Sequence, residues 1–367
     1  MHNIFTARWI RIYVIPGAVF QSVMFGGGYG TGREIVEYFT RFGAWGGLLA
    51  FAVAFTVFAV VLALTFELSR LSRTYDYRSF FRFLLGRGWV LYEILVVLMF
   101  LLILAVLASA AGNILRDELH LPYFAGIAIM LFAIGLLNFY GRELIARVLT
   151  FWSVVLYAMI ITFFVFVFIR AGDLLLGNLG STAAVDGWAT SGFKYGVYNI
   201  AILPLLLYIA RDFENRGEAF GSGFVAAAIA LVPGLLFHFA FFAGYPQVLE
   251  QPVPVYWLMQ ELELAFLVVA YSIMLFGTFI ETGAGLLQGI NERVDVFLKE
   301  VGRNELPRLG HAAIAVVAVV VSALLSLAGI TTLIAKGYGT MAWAFFAVYI
   351  IPLVTLGAYR IFRNPHA

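Results

Sequence analysis

The sequence predicts an all-α integral membrane protein of about ten transmembrane helices. Three observations carry that prediction. Of the 367 residues, 63% are apolar and only 12% are charged, about half the charge of an average soluble domain. A mean hydropathy of +0.96 is spread over apolar runs of roughly 20 residues, the length a helix needs to cross a bilayer. Basic residues gather in alternate connections between those runs, the pattern that orients multispanning chains.

In chain order the spans fall near 10 to 41, 44 to 69, 89 to 113, 122 to 139, 144 to 170, 192 to 210, 218 to 243, 262 to 290, 309 to 328 and 338 to 360. The first follows Arg8 and Arg11 and runs into glycines and a second helical segment with no small-residue cleavage pattern, so it reads as a retained span. The second ends where Arg70, Arg73, Arg78, Arg82 and Arg87 crowd one connection. The connection from 171 to 191, rich in Gly, Asn, Ser, Thr and Asp, is the longest polar break, and it divides five helices from five. With the N-terminus in the cytoplasm, 17 basic residues fall on that side and 5 (Arg41, Arg116, Arg170, Lys194 and Lys336) on the other, with Arg33 inside the membrane. Both termini are then cytoplasmic. Residues 1–367 form a single transmembrane domain, and an odd number of helices per half makes 10–170 and 192–360 inverted copies, the topology of inverted-repeat transporters.

Composition excludes several classes. A net charge of +2 without a polybasic block gives nucleic acid nothing to hold. Zero cysteines rule out disulfides and thiolate metal sites, and 5 scattered histidines argue against a histidine metal cluster. No HExxH, GxSxG or carboxylate-pair motif points to an enzyme. The short loops suggest no soluble protein partner. The expected partners are the lipid bilayer and a small-molecule solute, with no organic cofactor.

Two helices should break. FGGGYGTGRE, residues 25 to 34, packs Gly26, Gly27, Gly28, Gly30 and Gly32 into mid-span. Glycine costs about 1 kcal/mol relative to alanine in a helix, so residues 26 to 32 should unwind. Peptide groups freed there cannot face lipid and must line a cavity or meet a solute. The carbonyls ending the inner half-helix, from Phe25 on, suit a cation, while the amides near Thr31 to Arg33 suit an anion. The alternative role of such glycines is close helix packing. In the sixth span, SGFKYGVYNIAILPLLLYIA carries Gly196, Asn199 and Pro204 near its middle, and proline removes a backbone donor. A kink around Tyr198 to Pro204 follows, leaving Asn199 to bond the freed groups or a solute. Tyr29, Tyr195 and Tyr198 adjoin the breaks as candidate pocket walls.

Ionisable residues within spans are functional candidates by default. Glu281, Thr278 and Thr282 share one side of the eighth span, an oxygen-rich patch suited to Na+ or, through the carboxyl, to H+. Arg33 and Glu34 open the outer half of the first span, where Glu34 either caps the helix or gates the outer vestibule. Glu67 and Glu93, beside the arginine-rich connection, read as interfacial ion pairs, and His238 and Asn113 as satisfied polar groups.

FGGGYGTGREIVEYF, residues 25 to 39, resembles the YkvI-like membrane proteins, a bacterial branch of the amino acid–polyamine–organocation superfamily whose first helix carries a G-A-G-F-A-S-G-Q-E pattern. Gly26, Gly28, Gly32 and Glu34 match; Tyr29 replaces the aromatic, Thr31 the serine, and Arg33 the usual glutamine. Further likeness lies at GVYNIA (196 to 201), ETGAGLLQGINERV (281 to 294) and GITTLIAKGYG (329 to 339), followed by Pro352. The resemblance implies the LeuT fold, a bundle of helices 1, 2, 6 and 7 moving against a scaffold of 3, 4, 8 and 9, in a bacterial cytoplasmic membrane. It also implies a sodium site between helix 1 carbonyls and two helix 8 positions, here Glu281 and Thr282, where a carboxyl replaces the first hydroxyl.

The function these features lead to is cation-coupled symport, with Na+ or H+, of a small polar solute such as an amino acid or related amine. Backbone at Gly26 to Gly32, with Tyr29, Thr31, Tyr195, Tyr198 and Asn199, would bind the solute. Phe25, Thr278, Glu281 and Thr282 would bind the coupling cation, and Arg33 and Glu34 would gate. A ligand-sensing receptor that keeps the transporter fold and a passive channel are the alternatives.

Overall fold

In a computed structural model that describes residues 7–25, 27–140 and 142–363, the chain is helical with short connections and has no strand among the described residues. A π-helical turn, Ile10–Val14, leads into α1 (Ile15–Met24), followed by α2 (Gly27–Thr31), α3 (Arg33–Tyr38), α4 (Gly43–Ser72), α5 (Tyr77–Leu85), α6 (Trp89–Leu119), α7 (Tyr123–Tyr140) and α8 (Arg142–Ser181). The second half holds α9 (Trp188–Asn199) with a 3-10 helix Ile200–Asp212, α10 (Arg216–Phe241), α11 (Pro254–Glu261), α12 (Ala265–Glu300) and α13 (Arg308–Ser326). The last span joins α14 (Ile330–Thr332), α15 (Gly339–Phe345) and α16 (Ala358–Arg363) through π-helical turns Leu333–Tyr338, Phe346–Ile350 and Leu353–Gly357. Among the described residues, 7 helical stretches are long and apolar enough to cross a bilayer, and shorter apolar helices lie at Ile10–Gln21 and Tyr123–Leu136. With the α9 stretch they occupy every predicted span. The chain is an integral membrane protein.

The helices sort into two sets. In the first, α4 packs along α10 and α9, and α1 lies on α10. In the second, α6 packs on α7, α12 and α13, and α7 packs on α12. These are the bundle and the scaffold that the family resemblance implies. Small residues allow the close approach in the bundle: a Cβ at Gly192 would stand 2.2 Å from the Ala50 carbonyl oxygen, and one at Gly223 would stand 2.5 Å from the Ala63 nitrogen.

One end of the molecule collects the arginines. Arg8 pairs with Glu214 at 3.0 Å and Glu218 at 2.7 Å; Arg78 and Arg82 share Glu300 at 2.9 and 2.6 Å; Arg293 meets Glu93 at 2.9 Å. Arg70 and Arg216 converge on the fully buried Glu67 at 2.8 and 3.1 Å, and Arg216 also donates to the Ile361 carbonyl at 2.9 Å. Both ends of the described chain therefore lie on the same side. The pairing expected of Glu67 and Glu93 is present.

Several boundaries differ from the sequence reading. The polar break at 171 to 191 is largely helical, because α8 bends at Ala171 (φ −137°, ψ 23°) and continues to Ser181. There Asn178 donates to the Phe242 carbonyl at 2.8 Å, and Thr182 accepts from the Ala44 amide at 3.1 Å, so tertiary contacts hold a polar segment in helix. The arginine-rich connection contains α5, capped by Asp76, whose carboxylate accepts from the amides of Arg78 and Ser79 at 3.1 and 2.9 Å. The last span begins at Ile330 rather than 338, directly after Gly329, whose positive φ (78°, with ψ 150°) suits glycine.

Replacing Glu67 with alanine strands two guanidinium groups. A broken buried pair costs about 3–5 kcal/mol; because the Arg216 side chain is 35% exposed, solvent screening reduces this to about 2–3 kcal/mol. Thermal unfolding of Glu67→Ala in lipid should show the drop, and an unchanged midpoint would mean that the arginines find other partners.

Candidate functional site

The first span is interrupted twice. α1 ends at Phe25 (φ −71°, ψ 12°), and after one helical turn Gly32 adopts a left-handed conformation (φ 78°, ψ −6°) before α3 begins. The stretch expected to unwind throughout thus keeps the turn α2; Gly26 lies outside the described residues. What holds the turn is local: Thr31 Oγ1 donates to the Gly28 carbonyl at 2.8 Å and accepts from the Arg33 amide at 3.3 Å. The Gly30 carbonyl accepts the hydroxyl of Tyr271 from α12. Gly32 has no room for a side chain, since a Cβ would stand 2.4 Å from Phe241 Cζ.

The sixth span changes character at the predicted place. α9 ends at Asn199, and the 13 residues Ile200–Asp212, Pro204 among them, wind as a 3-10 helix, far longer than the usual three or four residues. Asn199 Nδ2 donates to the Tyr195 carbonyl at 2.9 Å on its own helix, so its amide bonds the chain at the break.

Arg33 and Glu34, adjacent in sequence, diverge. Arg33 is 4% exposed; its Nη1 donates to the carbonyls of Leu249 and Gln251 at 2.8 and 2.9 Å, and its Nη2 to Glu37 at 2.9 Å. Glu37 also pairs with Arg41. The guanidinium thus ties α3 to the connection between α10 and α11. Glu34, expected as a cap or at an outer vestibule, is buried instead. Its Oε2 accepts the Tyr198 hydroxyl at 2.6 Å, and the rings of Tyr38 and Tyr338 stand 5.3 and 4.8 Å from that of Tyr198. Tyr195 is 5.5 Å from Tyr198, and the Tyr38 hydroxyl donates to the Ile334 carbonyl at 2.9 Å. The carboxyl folds back over Gly28, where a Cβ would meet Oε1 at 2.0 Å.

Other sequence candidates lie apart from this cluster. Phe25 and Tyr29 pack on each other at 5.1 Å and on Phe237 of α10, and the Tyr29 hydroxyl donates to the Ala230 carbonyl at 3.4 Å. On α12, Thr278 donates to the Met274 carbonyl at 3.0 Å within its own helix. Glu281 and Thr282 are half-buried and have no hydrogen-bond partner among the described residues. Tyr271 and Leu275 of α12 reach the broken helix, the latter 3.1 Å from a Gly30 Cβ position. His238 and Asn113 are satisfied as expected, His238 by Thr40 at 3.1 Å and the Ala44 carbonyl at 3.3 Å, Asn113 by the Ser109 carbonyl at 2.8 Å. Sequence reasoning passed over Tyr38, Tyr271 and Tyr338. Tyr38 stands four residues from Glu34 on one helical face and was findable by that spacing; the other two carry no such signal.

These features define a class. The fold is that of an all-helical membrane protein whose solved structural neighbours are LeuT-like transporters. The fold is similar to that of a manganese transporter from Eremococcus coleocola, solved with an aromatic bis-isothiourea substituted compound (TM-score 0.58, 16% identity, 96% of this chain and 80% of that one). It is also similar to a Na+-coupled sialic acid symporter in a substrate-bound outward-open state (TM-score 0.51, 12% identity, 96% of this chain and 88% of that one). In sequence, the chain is 22% identical over 292 residues to the uncharacterised membrane protein YkvI of Bacillus subtilis strain 168, covering 76% of this chain and 80% of that protein. No family profile matches the chain.

The left-handed hinge gives a direct test. Gly32→Ala should cost about 1–2 kcal/mol from backbone conformation alone, and more from the collision with Phe241. A thermal midpoint equal to that of the wild type would show that α2 and α3 do not depend on the hinge.

Proposed function

We propose that the protein is a secondary active transporter that moves a small polar organic solute, an amino acid or related amine, by alternating access, coupled to Na+ or H+. The observation that supports this best is the position of α2. The turn between the two interruptions packs on α6 and α12, while α1 lies on α10 and α3 contacts α9 and α10. Irregular backbone therefore sits between the two helix sets, where relative motion of the sets exposes it to one side and then the other. The two halves are inverted repeats, and both termini are cytoplasmic; the single arginine-rich end supports the orientation.

The solute contacts are the backbone from Gly26 through Gly32, with Tyr29, Thr31, Tyr195, Tyr198 and Asn199 around it. The groups assigned to the coupling cation are Glu281, Thr282 and Thr278 of α12 and the Phe25 carbonyl. A half-buried carboxyl and hydroxyl without partners among the described residues supply oxygen donors and the negative charge a monovalent cation needs. Thr278, already donating to Met274, keeps lone pairs free to accept a cation. Arg33 holds the outer gate closed through Leu249 and Gln251, and Glu34 lies behind it.

A ligand that binds only the folded protein raises its stability. Purified protein should unfold at higher temperature in sodium than in choline if Na+ is the coupling ion, or should respond to pH without a sodium effect if H+ is. The sodium response, or the share of the pH response that belongs to coupling, should be lost in Glu281→Gln, together with gradient-driven uptake of radiolabelled amino acids or amines into proteoliposomes. Undiminished uptake in that variant would remove Glu281 from coupling. Uptake that only equilibrates under an imposed gradient would make the protein a channel.

A further inference from the structure

Glu34, set behind the gate in the transport reading, has surroundings that give it a further role. It is 5% exposed, and the four tyrosines around it, Tyr38, Tyr195, Tyr198 and Tyr338, are each buried. They come from three elements: α3, α9 and the π-helical turn Leu333–Tyr338. Among the described residues no lysine, arginine or histidine lies within hydrogen-bond distance of the carboxyl. Arg33 is spent on Leu249, Gln251 and Glu37; Glu37, the other acid on α3, is held by Arg33 and Arg41; the Tyr29 hydroxyl is on Ala230 and that of Tyr271 on Gly30.

An uncompensated charge in such a place is expensive, so the carboxyl calls for a positive ligand. The surroundings decide which. A metal ion needs several oxygen ligands whose lone pairs converge on it, and here Tyr198 points its hydroxyl hydrogen, not a lone pair, at Oε2 at 2.6 Å, while the Tyr38 hydroxyl is directed to the Ile334 carbonyl. An organic ammonium needs space, and Oε1 is packed against Gly28 while Oε2 is covered by Tyr198, whose ring packs on those of Tyr38, Tyr195 and Tyr338. A proton needs neither. The Tyr195 hydroxyl, buried with no partner in the same collar, is a spare donor for the carboxylate left behind when a proton departs.

We propose that Glu34 and this tyrosine collar form a proton-binding site, separate from the α12 patch, which loads and empties as α3, α9 and the last span come together and part. Opening lets water reach Oε1 and Oε2, the acid gives its proton to that water, and Tyr195 and Tyr198 then donate to the carboxylate. Closure requires the proton back. The collar thus ties the protonation of one carboxyl to the contact between the broken helices and the last span.

Infrared difference spectra of the purified protein in lipid vesicles, taken between mildly acidic and mildly alkaline buffer, test this. A carbonyl band of a protonated carboxyl should weaken in alkaline buffer, shift on transfer to D2O, vanish in Glu34→Gln and survive in Glu281→Gln. Tyr198→Phe keeps the carboxyl and removes one hydrogen bond, so it should move the same band to higher frequency, which decides the question even if Glu34→Gln does not fold. A band unaffected by Tyr198→Phe or by Glu34→Gln, or one insensitive to pH, overturns the proposal. So does a band that disappears when sodium replaces choline, since Glu34 would then be a metal ligand. The spectrum reads the proton whether or not the vesicles accumulate a solute, so failure of the transport reading would leave this site standing.

Discussion

Within a bilayer, every peptide group that leaves a helix must be satisfied by the protein itself, and the arrangement around the first span follows from that requirement. Its interruption between Met24 and Arg33 frees backbone groups at mid-membrane. The hydroxyls of Thr31 and Tyr271 meet two of them, at Gly28 and Gly30, and α6 and α12 cover the turn. The left-handed Gly32 then sets the direction of α3. Because neighbouring residues on a helix point about 100° apart, Arg33 turns to the carbonyls of the α10–α11 connection while Glu34 turns inward to tyrosines. One backbone irregularity thus produces both a polar tie at one face and a buried acid at the other.

The ion pairs follow the division of the helices. Glu67 with Arg70 and Arg216, and Arg8 with Glu218, lie within the first helix set; Arg293 with Glu93 lies within the second. The short amphipathic α5 spans the gap, reaching Glu300 of α12 through Arg78 and Arg82. Charge therefore stiffens each set internally, while at the seam the broken helix meets α12 through the Tyr271 hydroxyl and the Leu275 side chain. Such a seam has little desolvation cost when it is remade.

Much of this was legible in the sequence because its signals are one-dimensional. Apolar run length located the spans, basic residues marked one end, and Glu67 and Glu93 announced their partners by lying beside arginines. Glycine content located the first interruption but overstated it, since propensity knows nothing of the Thr31 hydroxyl that closes α2. Glu34 was singled out, and its neighbour Tyr38 was four residues away, yet its burial depends on Tyr195, Tyr198 and Tyr338, brought by α9 and the last span from more than 160 residues along the chain. Tyr271 looks like any aromatic residue of an apolar helix until its hydroxyl is seen on Gly30. The patch on α12 was legible as chemistry, but the sequence could not tell that Tyr271 and Leu275, rather than Glu281, make the described contacts with the broken helix.

The last span has a property of its own. Three of its segments, Leu333–Tyr338, Phe346–Ile350 and Leu353–Gly357, are π-helical, so each carries a residue more per turn than its α-helical neighbours. An extra residue of this kind can migrate along a helix by trading one hydrogen bond for the next, and each step swings the side chains it passes by about 100° while the ends stay fixed. Tyr338 and Tyr349 both sit in these loosened turns. The span is in effect a rod with built-in slack, able to re-aim individual rings without tilting, lengthening or breaking.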